Sequence, residues 1–351
     1  MTAKYLKVAA LFLALGALVL SIINASWLAP EPLGSPKLIA HRGLAQIHSP
    51  KGIGRDTCTA TLIEAPYHGY LENTVKGALR AHRLGAAMIE VDIAATSDGE
   101  IAVFHDWTLE CRTDGKGNIR DAALADLKAL DIGHGYSADG GETFPFRGKA
   151  VGMMPSLEEL IRAMPKRARI MFNFKSGDVS EADLLANKLN SLGRDPVEHR
   201  DAFYGHEAPV SRIKEHFPEV WAWRPEKARA CSEDYVLLGW TGILPQSCRG
   251  GTLIIPLNYQ WAFWGWPNRV IARMEEHGGQ IIVTAPYERG EANQGLTFPE
   301  QLGEIPSSFN GYVWVEDGFT VIPALFPSLD NRTADEVMAA AAALETRRKT
   351  Q

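Results

Sequence analysis

Residues 88–93, Met-Ile-Glu-Val-Asp-Ile, are the stretch from which the fold and chemistry of this chain can be predicted. Apolar residues fall on both faces of this segment, which is typical of a strand buried inside a parallel sheet. Because side chains alternate along a strand, Glu90 and Asp92 point the same way and lie a few ångströms apart. Two neighbouring buried carboxylates repel each other, and a divalent cation neutralises them at the least cost. The segment therefore predicts a metal-binding strand.

Two histidines close apolar runs on either side of this segment. The runs are 38–41, Leu-Ile-Ala-His, and 101–105, Ile-Ala-Val-Phe-His, and both predict strands. A turn at 96–99, Thr-Ser-Asp-Gly, returns the chain, so His105 is expected beside the two acids. Two histidines next to paired carboxylates predict a metal-assisted acid/base site.

Strands and helices alternate along the rest of the chain. Further strands are predicted at 169–174, 202–204, 220–223, 253–257, 281–284 and 312–315. Helices are predicted at 74–83, 121–130, from 156, and at 179–192, 209–216, 233–238, 267–277 and 333–347. Alternation of this kind predicts a parallel sheet, and about eight units with polar residues at the strand ends indicate an α/β fold, a (β/α)8 TIM barrel. We expect the barrel to occupy residues 38–351.

Composition narrows the classes of protein to which the chain can belong. The 351 residues are 46% hydrophobic and 22% charged, with a formal net charge of −6. This balance is that of an ordinary globular protein, and nothing in it suggests a nucleic-acid partner.

Five motifs occur in a fixed order within about eighty residues. They are His41-Arg42-Gly43, Glu72-Asn73-Thr74, Glu90-Val91-Asp92, Ser97-Asp98-Gly99-Glu100 and Phe104-His105-Asp106. Together they resemble the glycerophosphodiester phosphodiesterase family, whose fold is the TIM barrel of the phosphatidylinositol phospholipase C-like phosphodiesterases. The resemblance is sharp over residues 38–175. It implies hydrolysis of glycerophosphodiesters to sn-glycerol 3-phosphate and an alcohol, with His41 and His105 as general base and general acid.

The same resemblance implies a metal site. Glu90 and Asp92 would be ligands of a divalent cation, and oxygen ligands suit Mg²⁺ or Ca²⁺. The family usually places a third acidic ligand on the next strand, where this chain has Asn173. An amide oxygen can coordinate a hard cation but brings no charge, so we expect weaker metal binding here.

Three further residues are expected to contact the substrate. Arg42 and Lys175 are candidates for binding the phosphate, because a guanidinium fork and a lysine point charge both suit a phosphodiester. Glu72 is expected to accept hydrogen bonds from Arg42 or from a substrate hydroxyl, although a carboxylate that only caps a helix start remains an alternative.

The N-terminal segment resembles an export signal. Lys4 and Lys7 precede an apolar run at 8–23, and no Ala-x-Ala cleavage site follows. We therefore expect residues 1–29 to be an uncleaved signal anchor, with 30–37 as a stiff proline-containing linker and the barrel on the periplasmic or extracytoplasmic side. A cleaved signal peptide is the alternative.

Four cysteines suit an exported chain. By order, Cys58 with Cys111 and Cys231 with Cys248 are the plausible disulfides, and four unpaired thiols are the alternative.

Two alternative functions remain open from the sequence. The aromatic stretch Trp261–Trp266 indicates a wall for the substrate's alcohol group, a membrane contact, or packing between helices. With the anchor, it favours a lipid-sized substrate such as a lysophospholipid, hydrolysed by a lysophospholipase D or an enzyme resembling the sphingomyelinase D toxins. The second alternative is an inactive barrel that serves as an envelope binding protein, as a metal site weakened at Asn173 would suit, but the retention of both histidines and of Glu90 and Asp92 argues against it.

Overall fold

The computed structural model describes residues 3–49, 51–54, 57–289 and 294–350. The strands within these ranges are β1 (Lys37–Ala40), β2 (Met88–Ala95), β3 (Ile101–Val103), β4 (Arg169–Phe174), β5 (Ala202–Gly205), β6 (Trp221–Trp223), β7 (Thr252–Pro256), β8 (Gln280–Thr284) and β9 (Tyr312–Val315). The α-helices are α1 (Ala3–Ile23), α2 (Val75–Leu84), α3 (Leu124–Lys128), α4 (Leu157–Ala163), α5 (Ser180–Ser191), α6 (Glu207–His216), α7 (Pro225–Leu238), α8 (Asn268–Glu276), α9 (Gly318–Leu325) and α10 (Ala334–Thr350).

The larger of two compact units comprises Lys37–Arg224, Glu288–Gly303 and Val313–Gln351. Its strands lie in the order β6-β5-β4-β2-β1-β9, and β3 pairs with β2 outside this row. The pairings of β1 with β2, β2 with β4, β4 with β5, and β5 with β6 are parallel, whereas β3 runs antiparallel to β2. Every residue of β2 except Ala95 is buried, as the two-sided apolar pattern predicts.

The smaller unit comprises Met1–Pro36, Pro225–Tyr287 and Glu304–Tyr312. It contains the parallel pair β7 and β8 together with α1, α7 and α8. Parallel strands separated by helices in both units are the (β/α)8 TIM-barrel class, so the predicted fold class is confirmed.

Helix boundaries follow local capping chemistry. Thr74 caps α2, since its hydroxyl accepts the backbone N–H of Gly77, and Gly85 ends the helix in the left-handed conformation. Ser156 and Glu159 form a capping box at the start of α4. Both starts agree with the sequence prediction.

Two predicted helices have different lengths in the structure. The helix predicted at 233–238 begins at Pro225, because proline is favoured in the first turn and the following residues are helix formers. The helix predicted at 121–130 is confined to Leu124–Lys128, preceded by a 3-10 turn at Ile119–Asp121. In addition, β1 begins at Lys37, inside the segment predicted as linker.

Both plausible disulfides are present. Cys58 is bonded to Cys111 in the larger unit, and Cys231 to Cys248 in the smaller one. The first joins the long segment after β1 to the segment after β3. Residues 50, 55 and 56 of the segment after β1 lie outside the described residues. The second fastens α7 to the connection that leads into β7.

Candidate active site

Glu90 and Asp92 lie side by side on β2 with no exposed surface. Both oxygens of Glu90 accept hydrogen bonds, one from the hydroxyl of Tyr204 at 2.7 Å and the other from the backbone N–H of Arg42 at 2.8 Å. Burial, followed by repulsion from Asp92, raises the pKa of Glu90 to about 7. The negative charge at Glu90 is therefore only partly compensated by its neighbours.

Asp92 has more positive surroundings than Glu90. Its oxygens accept one hydrogen bond from the amide of Asn173 at 2.8 Å and one from the amide of Asn73 at 2.9 Å. Lys175 Nζ lies 3.8 Å and Arg42 Nε 3.4 Å from the same carboxylate. Although burial acts in the opposite direction, these cations hold the pKa of Asp92 well below its usual range.

The His41-Arg42-Gly43 motif forms the tight turn after β1. Arg42 has a left-handed backbone with φ of 56°, which is uncommon for a residue with a side chain. This conformation points its N–H at Glu90, while its carbonyl accepts the N–H of Asn73 at 2.9 Å. Gly43 is required because a Cβ there would lie 2.9 Å from the backbone nitrogen of Ala78. The motif thus places main-chain and side-chain donors of one residue against the acid pair.

His41 is oriented by a carboxylate that sequence analysis did not single out. Its Nδ1 lies 2.9 and 2.8 Å from the two carboxylate oxygens of Glu316, and its Nε2 lies 3.9 Å from Glu90. Burial lowers the pKa of His41, but Glu316 outweighs it, so the pKa is raised overall. The ring also contacts Trp314, with centroids 5.4 Å apart.

His105 has the opposite electrostatic environment. Its Nδ1 bonds Asp106 at 2.6 Å, and its Nε2 accepts from Lys175 Nζ at 2.9 Å. Burial, followed by the nearby charge of Arg42, lowers the pKa of His105 to about 4. The surroundings of His41 therefore favour the imidazolium, whereas His105 is neutral at pH 7 and its Nε2 accepts from Lys175.

A chain of ion pairs connects the phosphate-binding candidates to His105. Glu72 accepts from Arg42 Nη1 at 3.1 Å and also contacts Arg112, which in turn pairs with Asp106. The side chain of Arg112 is 3% exposed. Although burial opposes it, Arg112 keeps the pKa of Glu72 and of Asp106 below their usual ranges. Glu72 thus accepts a hydrogen bond from Arg42, one of the contacts expected for it from the sequence.

The structure brings all eight candidate site residues into one connected network in the larger unit. The contacts described above connect His41, Arg42, Glu72, Glu90, Asp92, His105, Asn173 and Lys175. The stretch Trp261–Trp266 belongs to the smaller unit. The aromatic residues at the acid/base network are instead Trp314, against His41, and Tyr204, whose ring stacks on Trp223 at 4.8 Å.

Four residues of the network were missed from sequence. Glu316 directly follows β9, and Tyr204 lies near the end of β5, so the rule that barrel sites use strand ends points to both. Asn73 and Arg112 lie in loop segments that carry no such positional signal.

The acid pair of β2 and Asn173 are the oxygen donors available to a divalent cation at this site. No group of three or more histidine, cysteine, aspartate or glutamate side chains is arranged to hold a metal ion among the residues that the structure describes. Two adjacent carboxylates are present, and the raised pKa of Glu90 indicates negative charge that a cation would relieve. Asn173 now donates its amide N–H to Asp92, so the amide would have to rotate before its oxygen could serve as a ligand. This set fits a hard cation that keeps much of its water.

The segment that carries the eight candidate residues is similar to known proteins. Residues 41–198 match the model of the Glycerophosphoryl diester phosphodiesterase family. A glycerophosphodiester phosphodiesterase of Bacillus subtilis (strain 168) is 35% identical over 135 residues, which are 36% of this chain and 45% of that protein. The chain thus spans about half the length of this curated relative.

Solved structures show the same fold. A glycerophosphodiester phosphodiesterase from Agrobacterium tumefaciens is 20% identical with a TM-score of 0.51, over 84% of this chain and 99% of that one. An Oleispira antarctica phosphodiesterase, solved with the product sn-glycerol-3-phosphate, is also 20% identical with a TM-score of 0.51, over 84% and 96% of the two chains. The match to the glycerophosphoryl diester phosphodiesterase family model covers segment 41–198, which contains the whole motif series and the acid pair.

Proposed function

We propose that this protein is an enzyme that hydrolyses glycerophosphodiesters to sn-glycerol 3-phosphate and an alcohol. The observation that carries the proposal is the pair of oppositely tuned histidines connected to the buried acids of β2. Environments that push two pKa values apart supply an acid and a base at one pH. The family match and the product-bound relative from Oleispira antarctica support the same substrate class.

The proposed reaction begins with the 2-hydroxyl of the glycerol group. Its oxygen attacks phosphorus, and its proton passes to the neutral ring of His105. His105 is thus the general base and His41 the general acid, the reverse of the order expected from the family resemblance, because the pKa of His41 is raised and that of His105 is lowered. The bond from phosphorus to the alcohol oxygen breaks as the imidazolium of His41 gives its proton to that oxygen. Water then opens the resulting cyclic phosphate with the two roles reversed. Arg42 and Lys175 hold the phosphate oxygens and offset their charge.

A divalent cation, Mg²⁺ or Ca²⁺, is part of the proposal. Glu90 and Asp92 would hold it, with the amide oxygen of Asn173 as a third, neutral ligand. When bound, it would polarise the phosphate and lower the pKa of the attacking hydroxyl. Because Asn173 adds no charge, Asn173→Glu is expected to raise the affinity for Mg²⁺ or Ca²⁺ in a calorimetric titration. Unchanged affinity would exclude Asn173 from the coordination sphere.

The test of the activity is product analysis with glycerophosphocholine, with and without chelator. We expect sn-glycerol 3-phosphate and choline as products, and a loss of about 10²–10⁴-fold in kcat for His41→Ala, the range expected for a general acid. His134→Ala is the matched control, since this histidine lies in a loop of the same unit. No hydrolysis by the parent chain would favour the binding-protein alternative, and equal hydrolysis by His41→Ala would show that His41 is not the general acid.

A lysophospholipid substrate is the second candidate, and α1 is the observation that favours it. Residues Tyr5–Ile23 form a helix of 19 residues with a mean hydropathy of 2.5 and none of it buried, which is long and apolar enough to cross a membrane. An enzyme held at a bilayer meets lipid-derived substrates. Comparing rates on lysophosphatidylcholine and glycerophosphocholine separates the two substrates.

We further propose that α1 is a retained signal anchor that holds the enzyme on the extracytoplasmic face of the membrane. Two disulfides support an oxidising compartment. The expected result is that the full chain stays with membranes after extraction at alkaline pH. Release of a shortened chain would instead show a cleaved signal peptide.

A further inference from the structure

A buried arginine binds the C-terminal end of α1 to the rest of the smaller unit. Arg273 on α8 is 7% exposed, and its Nη2 donates to the carbonyl of Ile23 at 3.2 Å and to Oδ1 of Asn24 at 3.0 Å. A cation at this position satisfies carbonyls that a helix end leaves unpaired and complements the helix dipole. The end of α1 is therefore held at a fixed place in the smaller unit.

The same guanidinium holds two further segments against this helix end. Arg273 Nη1 donates to the hydroxyl of Tyr235 at 2.8 Å, to the carbonyl of Gly239 at 3.3 Å and to that of Trp264 at 3.2 Å. Cleavage after Ala25 would remove two of its five acceptors and leave a buried charge short of partners. These contacts therefore favour retention of α1.

Exposed apolar side chains are concentrated on the segments that surround this helix end. We call the following set the collar: Trp27 (80% exposed), Leu237 (68%), Leu238 (50%), Trp240 (42%), Ile243 (65%) and Trp264 (47%). Residues 235–248 and 250–268 contain no charged side chain. Large exposed apolar groups without interspersed charges are rare on a water-facing surface and mark an interaction site.

Direct contacts place the collar segments next to the end of α1. The amide of Asn24 donates to the carbonyl of Trp240 at 2.7 Å. The backbone at Gly242 approaches Ile23 so closely that a Cβ there would lie 2.3 Å from its Cγ2. Trp264 belongs to the same cluster, because its indole N–H donates to the carbonyl of Val236 at 3.3 Å. The exposed apolar groups are thus continuous with the helix that is long enough to span a bilayer.

The chemistry of the collar fits the boundary between lipid headgroups and acyl chains. Tryptophan is enriched at that depth because it combines a large apolar ring with one polar N–H. A helix of 21 residues is about 31 Å long, roughly the thickness of the hydrocarbon core, so its end lies at this boundary when it spans the membrane. The collar residues would enter the bilayer surface at the point where α1 leaves it.

We infer that the collar is a membrane-contacting surface whose partner is the headgroup region of a phospholipid bilayer. The inference rests on the proposed anchoring by α1 and adds that the smaller unit itself is seated in the lipid interface. The disulfide between Cys231 and Cys248 closes the segment that carries Leu237, Leu238, Trp240 and Ile243. Helix α1 and the collar of the smaller unit then form one continuous apolar surface.

The test uses single cysteines in the full chain reconstituted in phosphatidylcholine vesicles. The four native cysteines are all in disulfides, so each new cysteine is the only free thiol of the described chain. Leu237→Cys and Ile243→Cys probe the collar. Leu62→Cys and Val151→Cys, at positions 49% and 59% exposed outside the collar, are matched controls, and Leu13→Cys reports insertion of α1. The measurement is the rate of reaction with a bulky, membrane-impermeant maleimide.

We expect the collar thiols to react about tenfold more slowly than the controls, because each must leave an apolar environment before reacting. If they react as fast as the controls while Leu13→Cys is protected, the collar proposal is wrong and the anchor stands. A Leu13→Cys thiol that reacts as fast as the controls would show that α1 is not inserted, and it would overturn both the anchor proposal and the collar proposal. Protection of the collar only at high protein-to-lipid ratio would identify a second copy of the chain as its partner and refute the lipid assignment. Hydrolysis of glycerophosphocholine, measured on the same samples, tests the proposed reaction independently of the collar.

Discussion

Replacing Glu316 with glutamine is expected to reduce kcat roughly 10- to 150-fold. This estimate follows from the hydrogen bond between Glu316 and His41. The ring Nδ1 lies 2.9 and 2.8 Å from the two carboxylate oxygens, and the side chains of His41 and Glu316 are 17% and 13% exposed. A buried hydrogen bond to a charged group stabilises by about 1.5–3 kcal/mol. Each 1.36 kcal/mol lost from transition-state stabilisation is a factor of about ten in rate, which gives the stated range.

Glutamine preserves the volume of the side chain while changing its chemistry. Its neutral amide no longer favours the imidazolium, and its NH₂ group offers a donor where Nδ1–H requires an acceptor. The loss should appear in kcat with little change in KM, since Glu316 acts through His41 and is not expected to bind the substrate. Glu316→Asp, which keeps the charge, should recover part of the rate.

The matched control is Glu181→Gln, the same change at another buried carboxylate of the larger unit. Glu181 is 1% exposed and bonds Arg120 and Ser176. Steady-state kinetics on glycerophosphocholine and thermal melting of each variant separate a positioning effect from loss of stability. The reasoning fails if Glu316→Gln keeps kcat within about twofold of the parent, or if Glu181→Gln loses as much activity.

Three further predictions concern stability. Arg112→Met should lower the free energy of unfolding by about 3–5 kcal/mol, because it leaves the buried carboxylates of Glu72 and Asp106 without their shared cation; an equally stable variant in a chemical denaturation series would show that Arg112 is not needed for folding. The unfolding free energy should also fall as the pH drops below about 4, because the pKa values of Glu72 and Asp106 are lowered in the folded state, so the unfolded chain binds more protons there; a flat acid limb would contradict this. The disulfides close loops with sequence separations of 53 and 17 residues. From the chain entropy of these loops, we expect the free energy of unfolding to fall by about 4 kcal/mol for Cys58→Ser with Cys111→Ser, and by about 3 kcal/mol for Cys231→Ser with Cys248→Ser. Denaturation midpoints that rank the two pairs in the opposite order would refute the loop-length argument.

Most of the fold could be predicted because strand patterns in a buried parallel sheet are local. All nine predicted strand segments overlap strands of the structure, and the two-sided apolar pattern at 88–93 correctly predicted a strand buried on both faces. Helix α7 was predicted too short because its first half is polar. That half is helical because it consists of helix-forming residues and begins at Pro225. Periodicity gives no signal where a helix carries charge on most of its surface.

The site could be predicted in part, for a related physical reason. Carboxylates two residues apart on one strand must share a face, so the pair on β2 follows from sequence alone. Glu316 reaches His41 across 275 positions of sequence, and pairing at that distance depends on which strands are neighbours. The sheet order places β9 beside β1, and only that order shows that a polar residue after β9 meets the histidine after β1.

The pKa values of the two histidines are shifted in opposite directions because their ring nitrogens face different partners. Arg42 lowers the pKa of both rings, but His41 has carboxylates near both of its nitrogens, whereas Nε2 of His105 faces the ammonium of Lys175. In the proposed reaction an entering phosphodiester offers Lys175 a stronger acceptor than a neutral imidazole. Lys175 then turns to the phosphate, and Nε2 of His105 is released to accept the hydroxyl proton. Substrate binding itself would therefore generate the base, and His105 stays blocked until a phosphate is present.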